Sequence, residues 1–242
     1  MALSTAVVLA AGVGSRLRPL TDDRPKALVT VNGRTLLESA LDALLGRGVT
    51  RLVVASGYRQ DALEKALRTS PFDVVFVENP DYETTQNSVS LALCREAVGA
   101  GDFYRLDGDV LFDAEVLARL DEIDAPLVAA VDGSRTLDAE AMKVRLVPGE
   151  RRIAEFGKGI GLADSSGESI GIERISARAA PELFDALDEA RRGGETSLYY
   201  EDVYTRLIAR GLDARAADVS DLRWCEIDCE EDLRHAAALF SP

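Results

Sequence analysis

The chain has 242 residues, 47% hydrophobic and 29% charged, enough apolar material for one sizeable core and no sign of disorder. Its 42 Asp and Glu against 28 Lys and Arg leave a net charge of −14, which argues against nucleic acid or an anionic membrane as partner. No apolar run reaches the roughly 18 residues that span a bilayer, the N-terminal strand is too short and too uncharged upstream to read as a signal peptide, and three cysteines, Cys94, Cys225 and Cys229, fit reduced thiols in the cytoplasm.

The first predicted element is an apolar strand, Ala6 to Leu9, which runs into Ala10-Ala11-Gly12-Val13-Gly14-Ser15-Arg16-Leu17. Without side chains, Gly12 and Gly14 let the main chain approach an anion and adopt positive φ, so successive N–H groups can point at phosphate oxygens. Arg16, Arg18, Arg24 and Lys26 lie within eleven residues and form the densest cluster of cations near the start. The alternative is an ordinary βα turn with solvated arginines. The dinucleotide fingerprint is excluded, because Leu17 stands where its third glycine belongs, and no G-K-[ST] marks a P-loop. Taken with Pro19, Thr21 and Pro25-Lys26-Ala27-Leu28, the string resembles the opening signature of the nucleotidyltransferases that make NDP-sugars and CDP-alcohols.

Further strands are predicted at Leu52 to Ala55, Val74 to Val77 and Phe103 to Leu106, each short, apolar and bounded by turn residues. Helical spacing fills the gaps at Thr35 to Leu45, Asp61 to Leu67 and Asn87 to Val98. This β-α-β-α-β-α-β order predicts an α/β fold with a Rossmann-like, doubly wound, mostly parallel sheet, whose ligands sit beyond the carboxyl ends of the strands. From Leu127 the pattern changes to strands with little helix: Leu127 to Val131, Met142 to Leu146, Arg152 to Glu155 and Ser169 to Ile175. These predict a mixed acceptor-side insertion on the same sheet, so that residues 1–242 form a single domain with a nucleotide-binding half, 1–126, and an acceptor-binding half, 127–242. Helices at Pro181 to Arg192 and Tyr199 to Ala209, a strand around Arg223 to Ile227 and a helix from Glu230 to Leu239 complete the chain.

Two strand ends carry paired carboxylates: Leu106-Asp107-Gly108-Asp109-Val110, and Trp224-Cys225-Glu226-Ile227-Asp228. Mg²⁺ takes hard oxygen ligands, commonly one or two carboxylates completed by water and substrate phosphate, and Asp109 with Asp228 supplies that set. Read separately, Asp107 and Asp109 are turn residues and Asp228 a helix cap. A zinc site at Cys225 and Cys229 lacks ligands, because His235 is the one histidine in the chain. That scarcity also argues against an imidazole base.

Several further segments narrow the resemblance to the phosphocholine, CDP-alcohol and phosphonate cytidylyltransferase branch of that superfamily. They are Ser56-Gly57-Tyr58, Asn79-Pro80, Thr85-Gln86-Asn87-Ser88-Val89, Gly108-Asp109, Lys158, Gly167-Glu168-Ser169, Tyr200-Glu201-Asp202-Val203 and Glu226-Ile227-Asp228. The glycine-leucine-alanine-like step of the sugar branch is missing at Asn87 to Leu93, and no Glu-Lys-Pro follows the acceptor-side strand, where Glu155-Phe156-Gly157-Lys158 stands instead. The resemblance implies CTP, Mg²⁺ and a small phosphorylated or phosphonate acceptor as partners, and it leaves a homodimer open.

On that reading the acceptor's phosphate or phosphonate oxygen, already an anion, attacks the α-phosphorus of CTP and pyrophosphate departs. Arg16 and the Gly12, Gly14 and Ser15 amides are expected at the leaving group, Lys26 at the α-phosphate, and Asp109 and Asp228 on the metal. Leu9, Ala11 and Gly12 would offer main-chain contacts to the nucleotide, with Tyr58, Asn87, Ser88 and Asp107 around it; Asn87 is otherwise an N-cap. Lys158 is the candidate for the acceptor's phosphate. Glu168, Tyr199, Tyr200, Glu201 and Asp202 suit an ammonium group such as that of phosphocholine, phosphoethanolamine or 2-aminoethylphosphonate. The same carboxylates could bind polyol hydroxyls, so the rivals are a sugar-1-phosphate or inositol-1-phosphate nucleotidylyltransferase and, in another class, a catalytically silent nucleotide-binding subunit.

Overall fold

A computed structural model describes residues 3–241. Strand β1 (Thr5–Leu9) is buried along its whole length, as an apolar strand at the centre of a parallel sheet must be. After the glycine loop and two short 3₁₀ turns comes a hairpin, β2 (Thr30–Val31) and β3 (Arg34–Thr35), which the sequence pattern does not signal. Helix α1 (Leu36–Gly46) starts behind a reciprocal cap: the Glu38 amide donates to Thr35 Oγ1 at 3.0 Å and the Thr35 amide to Glu38 Oε2 at 2.8 Å. Next come β4 (Arg51–Ser56), α2 (Gln60–Leu67) and β5 (Asp73–Glu78). The predicted helix from Asn87 to Val98 is two helices, α3 (Asn87–Leu93) and α4 (Arg95–Val98), because Cys94 takes ψ −6° and tightens the turn between them. Strand β6 (Phe103–Asp107) completes the parallel set, in the order β5-β4-β1-β6.

Beyond β6 lie β7 (Val110–Phe112) and the short helix α5 (Glu115–Asp121), both missing from the predicted elements. Strands β8 (Leu127–Asp132), β9 (Lys143–Leu146), β10 (Ile153–Phe156) and β11 (Gly167–Ile175) follow. Strand β11 runs antiparallel to β6, β8 and β9, so the second half of the chain extends the same nine-stranded sheet. Helices α6 (Ala180–Arg192) and α7 (Tyr200–Ala209) lead to β12 (Ala214–Asp218), an unpredicted strand parallel to β8. The chain closes with β13 (Trp224–Glu226) and α8 (Glu230–Leu239).

The alternation of β1 sorts the core into two layers. Ala6 and Val8 pack with Leu37, Leu44 and Leu63 of α1 and α2, while Val7 and Leu9 face Leu91, Phe184 and Leu207 of α3, α6 and α7. A third cluster joins Leu17 and Leu36 to Ile227 and Ala236, and so fastens α8 to the segment after the glycine loop. Among the described residues no helix is long and apolar enough to cross a membrane.

Candidate active site

A cleft of about 970 Å³ opens at the carboxyl ends of β1 and β6 and continues along β11. Its first wall is the loop from Ala10 to Ser15. The amides of Gly12, Val13, Gly14 and Ser15 donate to no other backbone group among the described residues, which leaves a row of N–H groups beside the cleft. Gly14 takes φ 65°, a left-handed conformation that favours glycine, and Thr21 Oγ1 donates to its carbonyl at 2.9 Å. The carbonyls of Leu9 and Ala11 are engaged by the amides of Gly108 (2.9 Å) and Tyr58 (3.1 Å), so both residues line the cleft with backbone partners already in place.

Strand pairing builds the acidic floor. Strand β13 runs antiparallel to β7, with Glu226 opposite Val110, and the Ile227 amide donates to the Asp109 carbonyl at 3.0 Å. Asp109 and Asp228, 119 residues apart in sequence, therefore converge, and a carboxylate oxygen from each lies within 4.8 Å of one from Glu226. Gly108 permits this: a Cβ there would stand 2.7 Å from the Leu9 carbonyl oxygen. Lys26 Nζ donates to Asp109 Oδ2 at 2.7 Å and to Asp228 Oδ1, and Arg16 reaches Asp228 Oδ2 at 2.8 Å. Burial pulls against the Lys26 ammonium, but the Asp109 and Asp228 carboxylates more than offset it and hold the lysine above its usual range. Water reaches Glu226, yet crowding by the cleft floor and the charges of Asp109 and Asp228 push its carboxyl up to about 8. Three hard oxygen donors that repel one another fit a divalent cation such as Mg²⁺.

Behind the floor, Arg105 of β6 is wholly buried, pairs with Asp107 Oδ1 at 2.8 Å and with Glu173, and lies 3.7 Å from the centre of the Tyr200 ring. Tyr200 Oη donates to Asp107 Oδ2 at 2.7 Å, which fixes that carboxylate at the cleft edge. Burial, with the Asp109 charge adding to it, raises the Asp107 carboxyl against the pull of Arg105.

The opposite wall comes from β11, α7 and the loops before β9 and after β10. Lys143 is buried and its ammonium donates to the carbonyls of Ala141 (3.3 Å) and Lys158 (3.0 Å), tying those two loops together. Lys158 lies 4.9 Å above the Tyr199 ring with Glu140 at 3.4 Å. Burial raises the Glu168 carboxyl, opposed by Arg135. Glu201 is 4% exposed, and burial together with Asp107 pushes its carboxyl up to about 7.

The cleft thus brings together Leu9, Ala11, Gly12, Gly14, Ser15, Arg16, Lys26, Asn87, Asp107, Asp109, Lys158, Glu168, Glu201 and Asp228. Tyr58, Ser88, Tyr200 and Asp202 do not line it. The Tyr58 hydroxyl is turned to the carbonyls of Thr21 and Asp22, and that of Ser88 to the carbonyl of Leu198. Tyr200 lies buried beneath the floor, and Asp202 caps α7 by accepting the Tyr199 amide at 2.8 Å. Asn87 is the first residue of α3 rather than its cap, and its Oδ1 accepts the Tyr200 amide, so the residue lines the cleft with its Nδ2 donating to no side chain or carbonyl among the described residues. Arg18 and Arg24 also stay out of the cleft, paired with Asp22 and Asp23. Among the lining residues absent from the predicted set, two are ionisable groups beside the site's centre, Glu226 and Arg135. Glu226 was within sight, in the same string as Asp228; Arg135 carries no motif and is found only because the loop after β8 folds over Trp224, 3.8 Å from its ring centre.

Residues 6–200 match the MobA-like NTP transferase domain. The CMP-5'-(3-aminopropyl)phosphonate synthase of Streptomyces rubellomurinus is 35% identical over 98% of this chain, which spans 39% of that longer protein. The 2-aminoethylphosphonate cytidylyltransferase of Lancefieldella rimae is 26% identical over 95% of this chain and 90% of its own. Among solved structures, the inositol-1-phosphate CTP transferase from T. maritima superposes with a TM-score of 0.81 at 26% identity, covering 100% of this chain and 98% of its own.

Proposed function

Because this chain belongs to the MobA-like NTP transferase family, we propose that it transfers a cytidylyl group from CTP to a small phosphate or phosphonate acceptor bearing an amine, with release of pyrophosphate. One observation carries this reading: a single cleft holds a free-amide loop with two cations, a three-carboxylate cluster, and a second wall that presents both signs of charge. Nucleotide binding alone needs no second wall. The likeness to enzymes named for aminated phosphonates and for cytidylyl transfer supports the choice of donor and acceptor.

The acceptor oxygen is an anion at neutral pH and needs no general base, so the protein's task is positioning and charge stabilisation. Arg16 and the amides of Gly12 to Ser15 hold the β- and γ-phosphates and stabilise the departing pyrophosphate. Lys26 neutralises charge that grows on the α-phosphate. Asp109 and Asp228, with Glu226 beside them, would hold a divalent ion, which supplies further neutralisation of the phosphates when bound. The Asn87 Nδ2 donor suits the oxygen acceptors of a cytosine or ribose edge. Lys158 and Arg135 take the acceptor's anionic end. Three free thiols support a reducing compartment such as the cytoplasm.

A second reading, inositol 1-phosphate as acceptor, is favoured by the superposition on the T. maritima enzyme. Pyrophosphate release from CTP, UTP, ATP and GTP, each with phosphoethanolamine, 2-aminoethylphosphonate, inositol 1-phosphate and glucose 1-phosphate, separates the two. CTP with an aminated acceptor is expected to give turnover that Asp109→Asn nearly abolishes. Turnover confined to the polyol and sugar phosphates overturns the proposal, and no turnover with any pair points to a silent nucleotide-binding protein.

A further inference from the structure

The acceptor wall offers a cation oxygen atoms and denies it aromatic faces. Tyr204 and Phe156 lie buried beneath that wall, and the three other rings in or under it each carry one of the protein's own cations. Arg105 lies 3.7 Å from the Tyr200 ring centre, Arg135 3.8 Å from that of Trp224, and Lys158 4.9 Å from that of Tyr199. Tyr82, which also borders the cleft, belongs to the segment after β5 at the opposite edge of the sheet and packs against Gly57. A trimethylammonium group has no N–H and is held by free aromatic faces. No free ring of that kind stands on the acceptor side among the described residues.

The oxygens show the converse. Glu201 is 4% exposed, lines the cleft, and its Oε2 has no hydrogen-bond partner. Ser169, 6% exposed on β11, lines the same wall with an equally unpartnered Oγ. Its neighbour Glu168 also faces the cleft, half-buried. Buried oxygens of this kind are costly until a donor reaches them. A group with several N–H donors satisfies them, and a quaternary one leaves them orphaned while bringing its methyl groups against them.

We propose that the cationic end of the acceptor is a primary ammonium, held by N–H donation to Glu201, Glu168 and Ser169, and that the wall selects against the quaternary ammonium of choline type. This rests on the cytidylyl-transfer reading above. The test is the rate of pyrophosphate release with CTP and four acceptors of equal length: phosphoethanolamine, its N-methyl and N,N-dimethyl forms, and phosphocholine. We expect kcat/KM to fall with each methyl group, by about 10²-fold or more across the series. Glu201→Gln should lower kcat/KM for the primary amine by a larger factor than for phosphocholine, so that the discrimination between them narrows. Glu168→Gln should narrow it in the same direction and serves as the second variant should Glu201→Gln not fold. Phosphocholine used as well as phosphoethanolamine overturns the primary-amine assignment and leaves cytidylyl transfer standing. Turnover of inositol 1-phosphate with none of the four overturns both, the fault then lying in the underlying reading.

Discussion

Lys26 occupies a place that two carboxylates and a triphosphate would both want filled by a cation. In the free protein its ammonium bridges Asp109 and Asp228, so the lysine compensates the acidic floor before any ligand arrives. If its charge acts chiefly on the transition state, Lys26→Ala should lower kcat by a factor on the order of 10² or more with a smaller change in KM for CTP. Steady-state kinetics decide this, since a change confined to KM would assign the lysine to ground-state binding. The acidic groups make a second prediction. Glu226 and Glu201 rise from the ordinary 4.5 to about 8 and about 7 on folding. Both hold their protons more tightly folded than unfolded, so across that window the folded state binds more protons and loses stability as pH rises. The Tm without divalent ions should therefore fall between about pH 5 and pH 8.5, added Mg²⁺ should recover part of the loss at the high end, and Glu226→Gln should flatten the slope. A level profile in the unaltered protein would remove the repulsion inferred at the floor. Residue by residue, the charged loop and the strand-end aspartates were legible because their chemistry is written in short strings. Tyr58, Ser88, Tyr200 and Asp202 were not, because a polar side chain beside a motif can turn to a neighbouring carbonyl or amide, and spacing carries no sign of which way it turns.

Elements matter here mainly as carriers of strand ends. The pairing of β7 with β13 delivers Asp109 and Asp228 to one point, and it depends on the close approach of Gly108 to the Leu9 carbonyl. Gly108→Ala would force a Cβ to 2.7 Å from that oxygen and strain the 2.9 Å bond from the Gly108 amide. Chemical denaturation should show a loss of about 1–3 kcal/mol, and turnover should drop further than stability because Asp109 follows directly. An unchanged midpoint with full activity would mean that the crossing relaxes freely. The four parallel strands could be read in advance because buried strands need unbroken β-branched, apolar runs. Strand β12 could not: Ala-Arg-Ala-Ala-Asp has weak strand preference, and its place comes from pairing with β8 and burial in the sheet. The short helix α5 escaped for want of length, and the hairpin of β2 and β3 for want of alternation.

At the scale of the whole molecule, a net charge of −14 is reconciled with a polyanionic ligand by concentration. Arg16 and Lys26 stand at one cleft, while most other arginines sit in surface pairs with Asp or Glu, worth little individually. The two walls of the cleft also hang on one hydrogen-bonded ladder, joined where β11 lies along β6. Jaws need a joint, and a continuous ladder provides none. Shutting water out must then fall to the loops at the cleft rim, chiefly those after β8 and β10, while the body stays still. Small-angle scattering curves of the free protein and of the protein saturated with both reactants should superimpose, and a marked compaction would mean that the molecule bends where its ladder runs unbroken.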